Sequence, residues 1–436
     1  MKPFVVKPAG AFSGRVSLPG DKSISHRAVI LSALSSAKTT LENFPANDDC
    51  LATLKAFRQL GIRSTLKKSE VLIYGKGLFG LKKPGRPIYL TDSGTSLRLL
   101  LGVLAGQRFS VRLTAGKSLS RRPMKRVTIP LRRMGAEIKS RMGEFAPITI
   151  KGGNLKGIIY KMPVASAQVK SAILLAALYA KGKTRVIEAI PTRDHTERML
   201  KIFKGKMLKS PGKIYIPGDI SSAAFFMVAG SIIPCSKILI KNVSLNPTRT
   251  GAVKVLKRMG ACINVKCQMS NVKCAEPIGD VLVESSKLKG VRISKMEIPS
   301  LIDELPVLMV AASLARGKSV FEGVGELRVK ETDRIRSMTE NLKKMGADIR
   351  VSKVKAGESI IINGVKGLKG ARVKSFGDHR TAMSMIVAGF AAKGTTHIDD
   401  VSCISKSFPD FIRVIKSLLT FYLTRGLIPD RIPYTP

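Results

Sequence analysis

The sequence predicts an α/β fold with internal pseudo-symmetry. Three observations carry that expectation: two short phrases alternate along the chain, one of them occurs six times, and the spacing between them is nearly constant. The first phrase is Arg-Gln-Leu-Gly at 58–61, Arg-Arg-Met-Gly-Ala at 132–136, Lys-Arg-Met-Gly-Ala at 257–261 and Lys-Lys-Met-Gly-Ala at 343–347. Each ends a helix-period stretch with cations in its last turn and a glycine behind it, the pattern that closes a helix. A β-branched run follows, such as 148–150 or 360–362, and reads as strand.

The second phrase is a small-residue start, an apolar helix, a turn containing Ala or Gly, and a strand. It recurs at 25–44, 93–115, 166–189, 221–243, 303–324 and 377–401. Distances between phrases set the period: Gly61 to Gly94 is 33 residues, Gly135 to Ser166 is 31 and Gly346 to Gly377 is 31. Gly205 to Ser221 is only 16, so about fifteen residues, the length of two short strands, are missing after a helix at 194–204. The stretch FYLTRGLIPDRIPYTP at the C-terminus belongs to no repeat.

Pro-Gly-Asp at 19–21 and again at 217–219 punctuates the chain just before two of the small-residue starts. Read as crossovers, these turns divide the chain into one domain of 1–20 plus 219–436 and another of 21–218, with three units in each. Read as ordinary loops, they carry no such meaning. The length of 436 residues allows two or three domains at about 150 residues each.

Composition narrows the function. Hydrophobic residues at 44% and charged residues at 24% fit a folded soluble protein. Lys plus Arg is 75 against 30 for Asp plus Glu, a formal charge of +45, which calls for an anionic partner. No apolar run approaches the 18 or so residues of a membrane span, and the N-terminus lacks a signal-peptide core, so the expected compartment is cytoplasmic with no membrane partner. Six cysteines form no CxxC pair and only four histidines occur, so a metal site is not expected and the cysteines read as reduced core thiols. No GxxxxGK[ST] or GxGxxG stretch is present. Aromatic residues at 5%, with no Trp, argue against a stacking nucleic-acid module.

Cations gather where helix stability does not want them. Lys22, Arg27, Lys170, Arg334 and Arg380 stand in or beside the first turn of helices that begin with small residues. A helix N-terminus already attracts anions, so a cation there predicts a site for phosphates or carboxylates. The competing account is that one residue in six is basic throughout. Carboxylates are scarce, which singles out Asp303 and Glu304, Glu331 and Asp333, and Asp378 beside these cations as acid–base candidates, plain N-capping being the alternative for Asp303 and Glu331. His379, within Asp-His-Arg, has no GxSxG partner and reads as an orienting or substrate-contact residue. His26, His195 and His397 read as structural.

Nine motifs in order resemble the 5-enolpyruvylshikimate-3-phosphate synthase family: LPGDKSISHRAVILSAL, DSGTSLRLLLG, SLSRRPMKRV, SAQVKSAILLAALYA, TRDHTERML, IPSLIDELPVL, RVKETDRIRSM, SFGDHRTAMS and SKSFPDF. They span about residues 7 to 418. The resemblance implies the two-domain enolpyruvyl transferase fold of six βαβαββ units, inverse and barrel-like, with the third unit truncated here. It implies transfer of the carboxyvinyl group of phosphoenolpyruvate to shikimate 3-phosphate, by a monomer without cofactor. By motif, shikimate 3-phosphate would meet Lys22, Ser23, Arg27, Ser166, Ala167, Gln168, Arg193, Asp303 and Lys330. Phosphoenolpyruvate would meet Lys22, Gly94, Thr95, Arg122, Gln168, Arg334, His379, Arg380 and Lys406. Asp303, Glu331 and Lys22 would be catalytic, Asp303 taking the 5-hydroxyl proton and Glu331 serving the methylene. Gly94 stands where some members carry an Ala that excludes glyphosate, so the resemblance implies sensitivity. A sister family, UDP-N-acetylglucosamine 1-carboxyvinyltransferase, has a cysteine before its RP motif, whereas residues 117–121 here have none and the start carries DKSISHR.

Overall fold

A computed structural model describes residues 3–268, 275–354 and 357–420. The C-terminal stretch 421–436 and Cys274 lie outside the described residues.

The chain is a mixed α/β protein. The small-residue phrases form the helices Lys22–Leu34, Gly94–Leu104, Ala167–Ala177, Ile220–Ile232, Leu305–Ser313 and His379–Ala391. These are apolar on nearly every side and therefore buried: every residue of Ile220–Ile232 except the last is inside. The alternating helices Asp48–Gln59, Lys125–Arg133, Gly251–Arg258 and Arg334–Lys344 are amphipathic covers ending in cations. Gly61, Gly135, Gly260 and Gly346 follow them at φ of +87°, +113°, +88° and +83°, the left-handed geometry that glycine supplies at a helix end.

Six sheets are found among the described residues. Hairpins such as Arg63–Lys67 with Glu70–Tyr74 and Asp348–Val354 with Gly357–Asn363 are antiparallel, while entering strands pair in parallel, as Ile88–Tyr89 does with Ser110–Thr114. After the helix His195–Ile202 the only strand before Asp219 is Lys213–Tyr215, which adds in parallel to Lys38–Glu42. Ile159–Lys161 and Arg185–Ile187 form a sheet of two strands.

Buried apolar residues form two clusters. One takes residues between Ile24 and Ile216; the other takes Val6 to Leu18 together with Ile220 to Leu418. The chain passes between them beside an antiparallel bridge of Gly20 with Gly218. A Cβ on Gly20 would sit 2.1 Å from the Asn43 carbonyl oxygen, so only glycine permits this close pass.

Some sequence expectations fail here. Among the described residues only Cys50 and Cys403 are core thiols; Cys235, Cys262 and Cys267 are exposed because their strand and turn positions face solvent. Arg334 heads an amphipathic cover helix instead of a small-residue one. Lys170, expected at an anion site, is instead a buried ion-pair residue, its ammonium 2.8 Å from both Glu188 and Glu197.

Candidate active site

Local capping aims the helix starts. Asp21 accepts from Ile24 N (2.9 Å), Ser93 from Ser96 N (3.3 Å) and Ser166 from Val169 N (3.4 Å), leaving Lys22, Thr95 and Gln168 in first turns. In the other half Asp333 accepts from Arg336 N (3.0 Å) and Asp378 from Arg380 N (2.7 Å). Neither Asp303 nor Glu331 caps a helix. That leaves both carboxylates free for other work.

These starts converge on one cavity of about 510 Å³. Its wall carries Lys22, Ser23, Thr95, Arg122, Ser166, Ala167, Gln168 and Arg193 from one half, and Asp303, Lys330, Glu331, Arg334, His379 and Arg380 from the other. Three expected residues stand elsewhere. Gly94 is buried beneath the wall, where an added Cβ would come within 2.7 Å of Arg98 Nη1 and 3.0 Å of Arg122 Nη1. Lys406 lies in an adjoining cavity that shares Arg122, Lys330 and Glu331, with Nζ 3.8 Å from Asp92. Arg27 is 2% exposed and sits behind the wall. It donates to Thr196 Oγ1, the Ser23 carbonyl and Ser171 Oγ, each at 2.7 Å, so it braces Ser23 without reaching the cavity.

Both carboxylates are surrounded by cations. Asp303 Oδ2 is 2.5 Å from Arg193 Nη2, and its Oδ1 is 3.4 Å from Arg334 Nη1. Burial alone would raise its pKa, but Arg193, Arg380, Lys330 and Arg334 together hold it well below the usual carboxylate range. Glu331 pairs with Arg334 and stands 3.6 Å from Arg122. Burial is again outweighed, by Arg334, Arg122, His379 and Lys22, so this carboxyl too is driven down. Arg334 is fixed from behind by Asp378, 2.8 Å from its Nε, so Asp378 caps one helix and anchors the arginine of another.

Lys22 keeps its proton: burial would lower its pKa, and Asp49 at 2.8 Å more than compensates. His379 is neutral, because burial and then Lys22 and Arg380 push it far below the ordinary imidazole value. Neither of its ring nitrogens has a hydrogen-bond partner among the described residues. Gln168 is oriented by Arg98 Nη1 (2.8 Å) and by its own bond to Thr95 Oγ1 (3.0 Å).

Sequence reasoning missed Arg98, Asp49, Arg126 and Arg249. Arg98 is one helical turn past Gly94, a spacing that could have exposed it. Arg126 spans the cleft to Glu326 at 2.7 Å, and Arg249 lies buried among Asp21, Asp219 and Glu304. Nothing local in the sequence marks those pairings. Among the described residues no group of three or more His, Cys, Asp or Glu side chains could hold a metal ion, and no helix is long and apolar enough to cross a membrane.

A cavity ringed by helix N-termini and arginine forks, with two ionised carboxylates inside it, defines an enzyme site for small polyanions with acid–base work to do. The sequence model of EPSP synthase (3-phosphoshikimate 1-carboxyvinyltransferase) matches residues 6–415. A 3-phosphoshikimate 1-carboxyvinyltransferase of Citrifermentans bemidjiense is 48% identical over 433 residues, 96% of this chain and 100% of that protein. One from Thermoanaerobacter sp. is 46% identical, covering 95% and 99%. The structure is similar to an EPSP synthase of Acinetobacter baumannii, with a TM-score of 0.83 and 41% identity over 96% of this chain and 99% of that one. The chain belongs to the EPSP synthase family.

Proposed function

We propose that this chain transfers the enolpyruvyl group of phosphoenolpyruvate to the 5-hydroxyl of shikimate 3-phosphate, releasing phosphate, on the route to chorismate and the aromatic amino acids. One observation carries the reading: Asp303 and Glu331 face a single cavity whose wall also carries Lys22, Arg122, Arg193, Arg334 and Arg380. Shikimate 3-phosphate takes its phosphate and ring contacts from Ser166, Ala167, Gln168, Arg193, Lys22 and Ser23, and its hydroxyls face Asp303 and Lys330. Arg27 serves this set from behind, by holding Ser23. Phosphoenolpyruvate takes Arg122, Arg334, Arg380, Lys22, Gln168, His379 and the Gly94–Thr95 turn, with Lys406 closing the outer side.

Asp303, held ionised by its cations, takes the 5-hydroxyl proton as that oxygen attacks C2 of phosphoenolpyruvate. Glu331 also begins ionised. Once an anionic ligand occupies Arg122 and Arg334, Glu331 loses the charge that depressed its pKa. It then takes up a proton and delivers it to the methylene carbon. The tetrahedral adduct expels phosphate while Glu331 recovers a proton from the methyl group. Lys22 and the arginines stabilise the leaving charge without needing to reorganise.

The chain is divided into a domain of 1–20 plus 219–436 and one of 21–218, three units each. The two apolar clusters and the close pass at Gly20 and Gly218 support the division. The third unit is short: Lys213–Tyr215 replaces a hairpin such as Glu137–Arg141 with Phe145–Lys151. The enzyme works as a cytoplasmic monomer, a reading that rests on the sequence and the family. Phosphate release that requires both substrates, and falls by about a hundredfold or more in Lys22→Ala, tests the function. Release from either substrate alone, or none from folded wild-type protein, would overturn it.

A further inference from the structure

Arg193 is suspended between two anchors. On its N-terminal side Thr192 is fixed within its own half: its amide donates to Glu188 Oε1 at 3.1 Å, and its carbonyl accepts from Lys170 Nζ at 3.3 Å. On its C-terminal side the helix His195–Ile202 begins at Asp194 without a side-chain cap. What holds that helix start comes from the other half. His195 Nδ1 lies 2.6 Å from Glu276 Oε1, with both side chains fully buried. Asn246 Nδ2 donates to Glu276 Oε2 at 2.6 Å and to Asp194 Oδ1 at 2.7 Å. Asn246 Oδ1 in turn accepts from Thr248 N (2.8 Å) and Thr248 Oγ1 (2.6 Å), which fixes the amide's orientation. Arg198 closes the network, 2.8 Å from Asp194 and 3.7 Å from Glu276.

A buried hydrogen-bonded network of this kind holds geometry tightly, because breaking one of its bonds strands a desolvated polar group; His195 bonds through Nδ1, and its Nε2 has no partner among the described residues. Here it fixes the backbone next to the arginine that meets Asp303 at 2.5 Å across the cleft. We propose that Glu276 is a positioning residue for the transferase reaction: through His195 and Asn246 it seats the start of helix His195–Ile202, and so aims Arg193 at shikimate 3-phosphate and Asp303. The inference rests on the function proposed above. Glu276 does not line the cavity. Burial pushes its carboxyl up to about 8, and burial together with Arg249, Arg27, Arg193 and Arg198 drives His195 the other way, so the pair carries one proton and no net charge near neutrality. An amide at 276 is therefore a close mimic of the native group.

The test uses full-length enzyme and steady-state phosphate release, each variant first checked for a folded thermal transition. Wild-type turnover comes first; if it fails, the functional reading fails and the present inference is not what was refuted. With wild-type turnover in hand, Glu276→Ala is expected to raise KM for shikimate 3-phosphate by about tenfold or more while KM for phosphoenolpyruvate stays within about twofold. Glu276→Gln restores both to within about threefold. The double variant Arg193→Ala/Glu276→Ala is no worse than Arg193→Ala alone, since the second change then has nothing left to aim. Equal effects on both KM values, failure of Gln to rescue, or full additivity with Arg193→Ala would each overturn the proposal. Asn246→Ala is the second probe and shows the same substrate-selective pattern. If neither Glu276→Ala nor Asn246→Ala folds, the network is purely structural and the proposal falls.

Discussion

A single methyl group at position 94 tests the packing of the phosphoenolpyruvate side of the cavity. In Gly94→Ala the new Cβ would approach Arg98 Nη1 to 2.7 Å and Arg122 Nη1 to 3.0 Å. Real Cβ atoms do not sit as close as 2.7 Å, so the Arg98 guanidinium must shift, while Arg122 at 3.0 Å need give by only a few tenths of an ångström. Arg98 cannot shift freely, because its Nη1 holds Gln168 Oε1 at 2.8 Å and Gln168 in turn holds Thr95. A hydrogen bond with one charged partner contributes about 1.5–3 kcal/mol, and its loss corresponds to roughly ten- to a hundred-fold in affinity. The backbone does not resist, since Gly94 is outside the left-handed region and Ser93 still caps the helix. The expected result is a KM for phosphoenolpyruvate raised by about ten- to a hundred-fold, KM for shikimate 3-phosphate within about threefold, and an unchanged melting transition. The wild-type enzyme is expected to be inhibited by glyphosate, and the variant's inhibition curve moves to higher concentration. Initial rates of phosphate release at varied phosphoenolpyruvate measure all of this. An unaltered KM for phosphoenolpyruvate, with an unmoved inhibition curve, would refute the claim that Gly94 leaves room for the two arginines.

Three further outcomes follow from the geometry. Lys22→Ala removes a cation that remains charged beside Asp49, and it is expected to lower kcat/KM by about a hundredfold or more in the same assay, a loss of about 3 kcal/mol or more. Asp303→Asn keeps the shape but removes the base; substrates are still protected in a binding assay while turnover falls by about 10²-fold or more, and a near-normal rate would remove Asp303 from the mechanism. The Glu276 carboxyl, raised by burial from 4.5 to about 8, makes folding bind its proton more tightly than the unfolded chain does. Below about pH 4.5 both states hold that proton. As pH rises from there to about 8, the unfolded chain ionises first and stability is lost. Buried His26, His195 and His379, held neutral, add stability over the same range, so the readout is the difference: the melting temperature of Glu276→Gln minus that of wild type is expected to rise from pH 5 to 8, read by scanning calorimetry.

The sequence by itself determined the helix starts and stops. A cap such as Asp21 or Asp378, or a glycine after a cationic last turn such as Gly260 or Gly346, acts within four residues, so the phrase and the element coincide. Lys22, Arg334 and Arg380 were legible as candidates for the cavity wall for the same reason, each standing in or beside a first turn. Only the tertiary structure decided which cation faces the cavity and which is already engaged. Lys170 and Arg27 carry the same local signature as Lys22. Glu188 and Glu197 claim Lys170, and Thr196, Ser171 and the Ser23 carbonyl claim Arg27. Those partners lie up to 169 positions away in sequence. Arg249 and Glu276 were invisible for the complementary reason: each takes its polar partners from distant segments, Asp21 for Arg249 and His195 for Glu276, brought together only when the two halves pack. Charge and capping act locally and can be read along a chain. The ionisation of Asp303 and Glu331, and the aim of Arg193, are properties of a buried space that two separate halves enclose.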